Sequence, residues 1–100
     1  MWQHTNKNFH SKSVYKTLKT CGVNTKLYSM AALRKPENIS IGDLCSIDDF
    51  SFINGGQETI IGNRVHIASF TSIIGGGQTL IEDFSSLAAG CRLITGSDEC

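Results

Sequence analysis

From residue 21 onward the large aliphatic positions recur in register every twenty residues. Ile41, Ile61 and Ile81 open successive rows in step with Cys21. Six positions on stand Leu27, Ile47, Ile67 and Leu87, and six further stand Leu33, Ile53, Ile73 and Leu93. Each row then runs two residues longer before the next begins, and Pro36, Gly56, Gly76 and Gly96 share one offset inside that longer stretch. Eleven of these twelve stripe positions are Ile or Leu; with 18 Ile plus Leu in 100 residues, twelve random positions would hold about two. A helix cannot keep residues six apart on one face, because six is far from a multiple of 3.6. The pattern is therefore a short strand, a turn and another short strand, repeated.

Two residues before the stripe lie Cys45, Ser51, Thr59, Val65, Thr71, Thr79, Ser85 and Cys91, all small or β-branched. Residues two apart in a strand share a face, so this second stripe also points inward. Gly22, Gly42 and Gly62 follow stripe residues, where a sharp corner suits glycine. Asp43, Asn63 and Asp83 stand next, and Asx side chains favour turns by bonding nearby backbone groups. One large and one small inward residue per short strand fits a narrow triangular tube. The expected fold is all-β: a three-sided parallel β-helix of about four rungs, stacked at roughly 4.8 Å. A β-sandwich with fortuitous spacing is the competing fold.

The first twenty residues differ. Ser11 to Thr20 carries Val14, Tyr15 and Leu18 at helical spacing with lysines opposite, and Gly22 suits a helix end. A short N-terminal capping helix over the first rung is expected, because solenoid ends need covers. Residues 1–10 read as a loose arm. The organisation expected is thus an arm and capping helix over residues 1–20 and a β-helix domain over residues 21–100.

Charge narrows the partners. Nine Lys+Arg balance nine Asp+Glu, so bulk charge offers nothing to a nucleic acid or an anionic membrane. A 40% hydrophobic content is ordinary for a globular chain. No apolar run is long enough to insert in a bilayer, and the polar stretch Met1 to His10 has no secretory core, so the cytoplasm is the expected compartment. The four cysteines, Cys21, Cys45, Cys91 and Cys100, form no metal-finger spacing and are expected as free thiols, with Cys45 and Cys91 buried.

Ile41-Gly42-Asp43-Leu44-Cys45-Ser46 and Ile61-Gly62-Asn63-Arg64-Val65-His66 resemble the hexapeptide-repeat acyltransferases. Residues 36–50 and 65–99 look like the subgroup from sugar and surface-polysaccharide pathways, and the resemblance spans about residues 9 to 99. It implies a left-handed β-helix, a homotrimer, and acetyl-CoA or another acyl-CoA as donor, with no metal. It also implies a sugar or nucleotide-sugar acceptor attacking the thioester through a hydroxyl or amine. A histidine serves as general base in such enzymes, a role that suits a side chain titrating near neutrality. Many members carry a histidine after the segment equivalent to Leu93–Ser97, where this sequence has Asp98 and Glu99. Members also continue for further rungs that complete the acyl-CoA groove. This chain is read as truncated by comparison, with acyl transfer weak or absent from residues 1–100 alone.

The candidate catalytic residues are His66 and Asp98. His66 stands one before the stripe and should point outward, in a column with Lys26, Ser46 and Ser86; the bland reading is a surface or subunit-contact histidine. Asp98, with Glu99, is a candidate by resemblance against an ordinary solvated acidic pair. His4 and His10 read as solvated arm residues. Asp48 and Asp49 read as turn formers or interface residues, and Phe50 and Phe70 as an outward ladder suited to a subunit interface. Gly75-Gly76-Gly77 reads as a corner rather than a phosphate cradle, since no helix opens after it. The leading function is an acyltransferase or a fragment of one. The alternatives are a non-catalytic trimeric β-helix module and a metal enzyme similar to the γ-type carbonic anhydrases, which one rung histidine serves poorly.

Overall fold

A computed structural model of the chain describes residues 8–95. Three parallel four-stranded sheets form its walls. The first joins β1 (Thr20–Cys21), β4 (Ile39–Ile41), β7 (Glu58–Ile61) and β10 (Gln78–Ile81). The second joins β2 (Lys26–Leu27), β5 (Ser46–Ile47), β8 (His66–Ile67) and β11 (Ser86–Leu87). The third joins β3 (Ala32–Arg34), β6 (Phe52–Asn54), β9 (Ser72–Gly75) and β12 (Arg92–Thr95). Each paired residue lies twenty positions from its partner, as in Ile47↔Ile67 and Ile53↔Ile73. The chain is a parallel β-solenoid of about four rungs.

The stripe forms the core. Leu27, Ile47, Ile53, Ile67 and Ile73 are at most 1% exposed. The small stripe does more than fill space. Thr25 Oγ1 donates to the Gly42 carbonyl (2.6 Å), Cys45 Sγ to that of Gly62 (3.0 Å) and Thr71 Oγ1 to that of Ala88 (3.1 Å). Each inward polar hydrogen thus ties down a corner carbonyl of the next rung, which burial would otherwise leave short of a partner.

The corners correct one expectation. Gly22, Gly42 and Gly62 do not make the bend. The left-handed residues are Asn24, Leu44, Arg64 and Phe84, with φ of 57°, 58°, 55° and 65°. Asx oxygens of the next rung accept the neighbouring N–H groups: Asp43 Oδ1 from Val23 (2.8 Å), Asn63 Oδ1 from Asp43 (2.8 Å) and Asp83 Oδ1 from Asn63 (2.7 Å). A Cβ on Gly22, Gly42 or Gly62 would collide with those oxygens, so glycine is there for close approach. Gly75, at φ 109°, does bend the chain, and β10 rather than a helix follows it.

The N-terminal segment is also tighter than expected. The helix, α1, spans Lys12–Tyr15 only. Val14 and Tyr15 pack against the core, Leu18 is 7% exposed, and the Tyr15 hydroxyl accepts the Leu27 N–H (2.8 Å). The helix stops early because the sheet captures the chain: Lys19 N–H already donates to the Ile39 carbonyl (2.9 Å). One turn of helix has little stability of its own to resist that. His10 is half-buried rather than solvated; its Nε2 bonds the Ala31 carbonyl (2.8 Å). Phe9 bridges Tyr28, so residues 8–10 are tied to the first rung. His4 lies outside the described residues.

Candidate functional site

The second sheet carries the chemistry on its outer face. Lys26, Ser46, His66 and Ser86 stand in one column, placed by the pairing of β2, β5, β8 and β11. Alternation turns Ile67 inward and His66 outward. The next outward column is Tyr28, Asp48, Ala68 and Ala88. His66 Nε2 donates to Asp48 Oδ2 at 2.9 Å, with the two side chains 51% and 29% exposed. Ser46 Oγ donates to Asp48 Oδ1 at 3.2 Å. The side chains around the ring are small: Ser46 and Ser86 flank it in register, and Ala68 and Ala88 follow. A substrate can reach the imidazole without displacing a bulky group.

His66 therefore points outward as expected. Asp48 serves as its carboxylate partner and also closes the turn, its carbonyl accepting from Ser51 Oγ (2.7 Å), while Asp49 Oδ1 accepts the Met30 N–H of the preceding rung (2.9 Å). Sequence reading missed the pair because its members are eighteen residues apart. The signal was available: in a twenty-residue register, a separation of eighteen joins adjacent rungs diagonally on one face. Asp98 lies outside the described residues, as does Glu99.

Phe50 and Phe70 stack as expected, with centroids 5.5 Å apart and planes 11° from parallel. Both have left-handed backbones and are more than half exposed. At the first-rung end, Phe9, Tyr15, Asn24, Thr25, Lys26 and Leu44 line an open groove of about 480 Å³. A separate hollow of about 400 Å³, lined by Ile60 and Leu80 among others, lies on the first sheet, away from His66.

The thiols offer little nucleophilic chemistry. Cys21, Cys45 and Cys91 are free. Burial first, then the neighbouring Cys45 and Asp43, push the Cys21 thiol above its ordinary range, so it stays protonated and unreactive near neutrality. Cys45 is buried, but Cys91 is only half-buried, against expectation. Its rung has no described neighbour above it. No cluster of three potential metal ligands occurs among the described residues.

The fold and site define a parallel β-helix with a histidine–carboxylate pair on its outer wall. No protein-family profile matches the chain, and no curated protein matches it. Among solved structures it is similar to a point mutant of AntD, an N-acyltransferase from Bacillus cereus, in complex with dTDP and coenzyme A. The TM-score is 0.76 and the identity 28%, covering 86% of this chain and 47% of AntD. The chain thus spans about half the length of that enzyme. The similarity bears out the resemblance to acyltransferases drawn from the hexapeptide units at residues 41–46 and 61–66.

Proposed function

We propose that this chain is the β-helical part of a CoA-dependent acyltransferase. It moves an acetyl group from acetyl-CoA to the hydroxyl or amine of a sugar, with a nucleotide-linked sugar as acceptor. The carrying observation is His66 with its carboxylate partner, open to substrate, on a solenoid similar to an N-acyltransferase. That dTDP and coenzyme A accompany AntD supports the choice of donor and acceptor. On this reading the imidazole takes the proton from the acceptor as that group attacks the thioester carbonyl. The C–S bond then breaks, and the CoA thiolate recovers the proton. Asp98 is the second catalytic candidate, taken from the family resemblance. Residues 1–20 act as arm and cap, and residues 21–100 as the catalytic solenoid. The working unit is a homotrimer, a proposal supported by the exposed Phe50–Phe70 ladder, and the cytoplasm is its proposed compartment.

The test is CoA release from acetyl-CoA with a nucleotide amino-sugar acceptor. In a longer protein that contains this chain, His66→Ala is expected to lower kcat about 100-fold. Unchanged turnover would return His66 to the surface. Failure to bind acetyl-CoA by calorimetry would favour the non-catalytic module. Light scattering at one chain mass would remove the trimer.

A further inference from the structure

We propose that Asp48 is the positioning residue for His66, and that it makes Nδ1 the proton-accepting nitrogen. The clause concerning catalysis rests on the function proposed above; the placement of the ring proton does not.

The geometry fixes the carboxylate from three sides. The Asp48 N–H donates to the Ile67 carbonyl of the next rung (2.9 Å), which holds the backbone beside β8. Oδ1 accepts from Ser46 Oγ (3.2 Å), and Oδ2 accepts from His66 Nε2 (2.9 Å). With both oxygens engaged, the carboxylate cannot turn without losing a bond. A carboxylate only accepts, so the neutral ring must carry its hydrogen on Nε2. Nδ1 is left with its lone pair, and it has no hydrogen-bond partner among the described residues. When the acceptor gives up its O–H or N–H proton, that proton lands on Nδ1. The Nε2–H stays on the ring, and Asp48 remains a carboxylate that stabilises the imidazolium.

The pair is also a geometric product of the solenoid. Ser46 and His66 are in register across β5 and β8. Asp48 lies two residues beyond Ser46 on the same outward face, so one carboxylate can reach its own rung's serine and the next rung's histidine.

The decisive measurement is nitrogen NMR on the full chain with ¹⁵N-labelled histidine rings, at a pH where the rings are neutral. The chain has three histidines, and His66→Gln identifies the signal of interest. The expected wild-type pattern is Nε2 protonated, Nδ1 bare, and an Nε2–H protected from exchange with water. Asp48→Ala should abolish the protection. Asp48→Asn, which keeps the shape but loses the charge, should weaken it while the backbone spectrum stays native. A proton on Nδ1, or Asp48 variants with the wild-type His66 spectrum, overturns the proposal.

Kinetics add a second readout. Asp48→Ala should lower kcat about tenfold with KM nearly unchanged, and Asp48→Glu should recover part of the loss. A change confined to KM overturns the positioning role. A longer protein containing this chain that shows the Nε2–H pattern but transfers no acyl group would sink the acyltransferase reading and leave the pairing of Asp48 with His66 standing.

Discussion

The middle rungs and the fourth rung are built from the same kinds of residue, yet their interiors differ. Ile47 and Ile53 are wholly buried, while Leu87 and Leu93, in the same two columns, are half-buried. Cys45, Ser51 and Thr59 are buried, while Ser85, Cys91 and Thr79 are not fully covered. The Thr79 hydroxyl oxygen is itself buried yet has no hydrogen-bond partner among the described residues, although Thr59, one rung back, donates to the Asn54 carbonyl (3.1 Å). Burial in a solenoid belongs to neighbouring rungs rather than to a residue's place in its own rung. A rung covered on both faces holds its side chains; a rung covered on one face holds them by half.

The sharpest way to break this comparison is to truncate equivalent stripe residues. Ile53→Ala should cost about 3–4 kcal/mol in urea unfolding, because a fully enclosed cavity cannot collapse. Leu93→Ala should cost roughly 1 kcal/mol, because part of its surface already meets solvent. Equal losses would mean that the fourth rung is covered in solution.

A smaller effect separates glycines of different roles. Gly42→Ala should cost about 2 kcal/mol, since its Cβ meets Asn63 Oδ1 and the Gly62 backbone. A Cβ on Gly76 meets nothing within 4 Å among the described residues, so Gly76→Ala should change the urea midpoint little. The smallest effect concerns the Asx ladder. Asn63→Ala removes the acceptor of the Asp43 N–H, an exposed bond worth about 1 kcal/mol at most. A loss as large as that for Gly42→Ala would show that the oxygen, more than the space, holds the corner.

The architecture was legible because its signal is chemical and large. Ile or Leu fills eleven of the twelve stripe positions, and the spacing of six, six and eight excludes a helix. The corners were not legible. Asn24, Leu44, Arg64 and Phe84 share a left-handed backbone but no chemistry, so no residue type marks the bend. The glycines beside them drew the assignment because glycine suits both a bend and a close approach. His66 was placed outward correctly by alternation, yet its partner was passed over. The twenty-residue columns lead from His66 to Ser46 and Ser86, whereas Asp48 stands on the diagonal. Cys91 was misjudged because the stripe treats every rung as interior. The shortened helix reflects a contest that local spacing cannot decide, between one helical turn and a waiting strand partner.

The constant separation of twenty between paired residues has a consequence for how such a chain can change in length. Removing one residue from a strand would turn every later inward side chain to the opposite face. Removing or inserting a whole twenty would leave the phase intact, with Ile41 followed by a residue of Ile61's kind and each corner oxygen still opposite a backbone N–H. The molecule is brittle to small insertions and tolerant of large ones of the right size. The rung, rather than the residue, is its natural unit of gain and loss, and a site spanning two rungs survives only such edits as keep both.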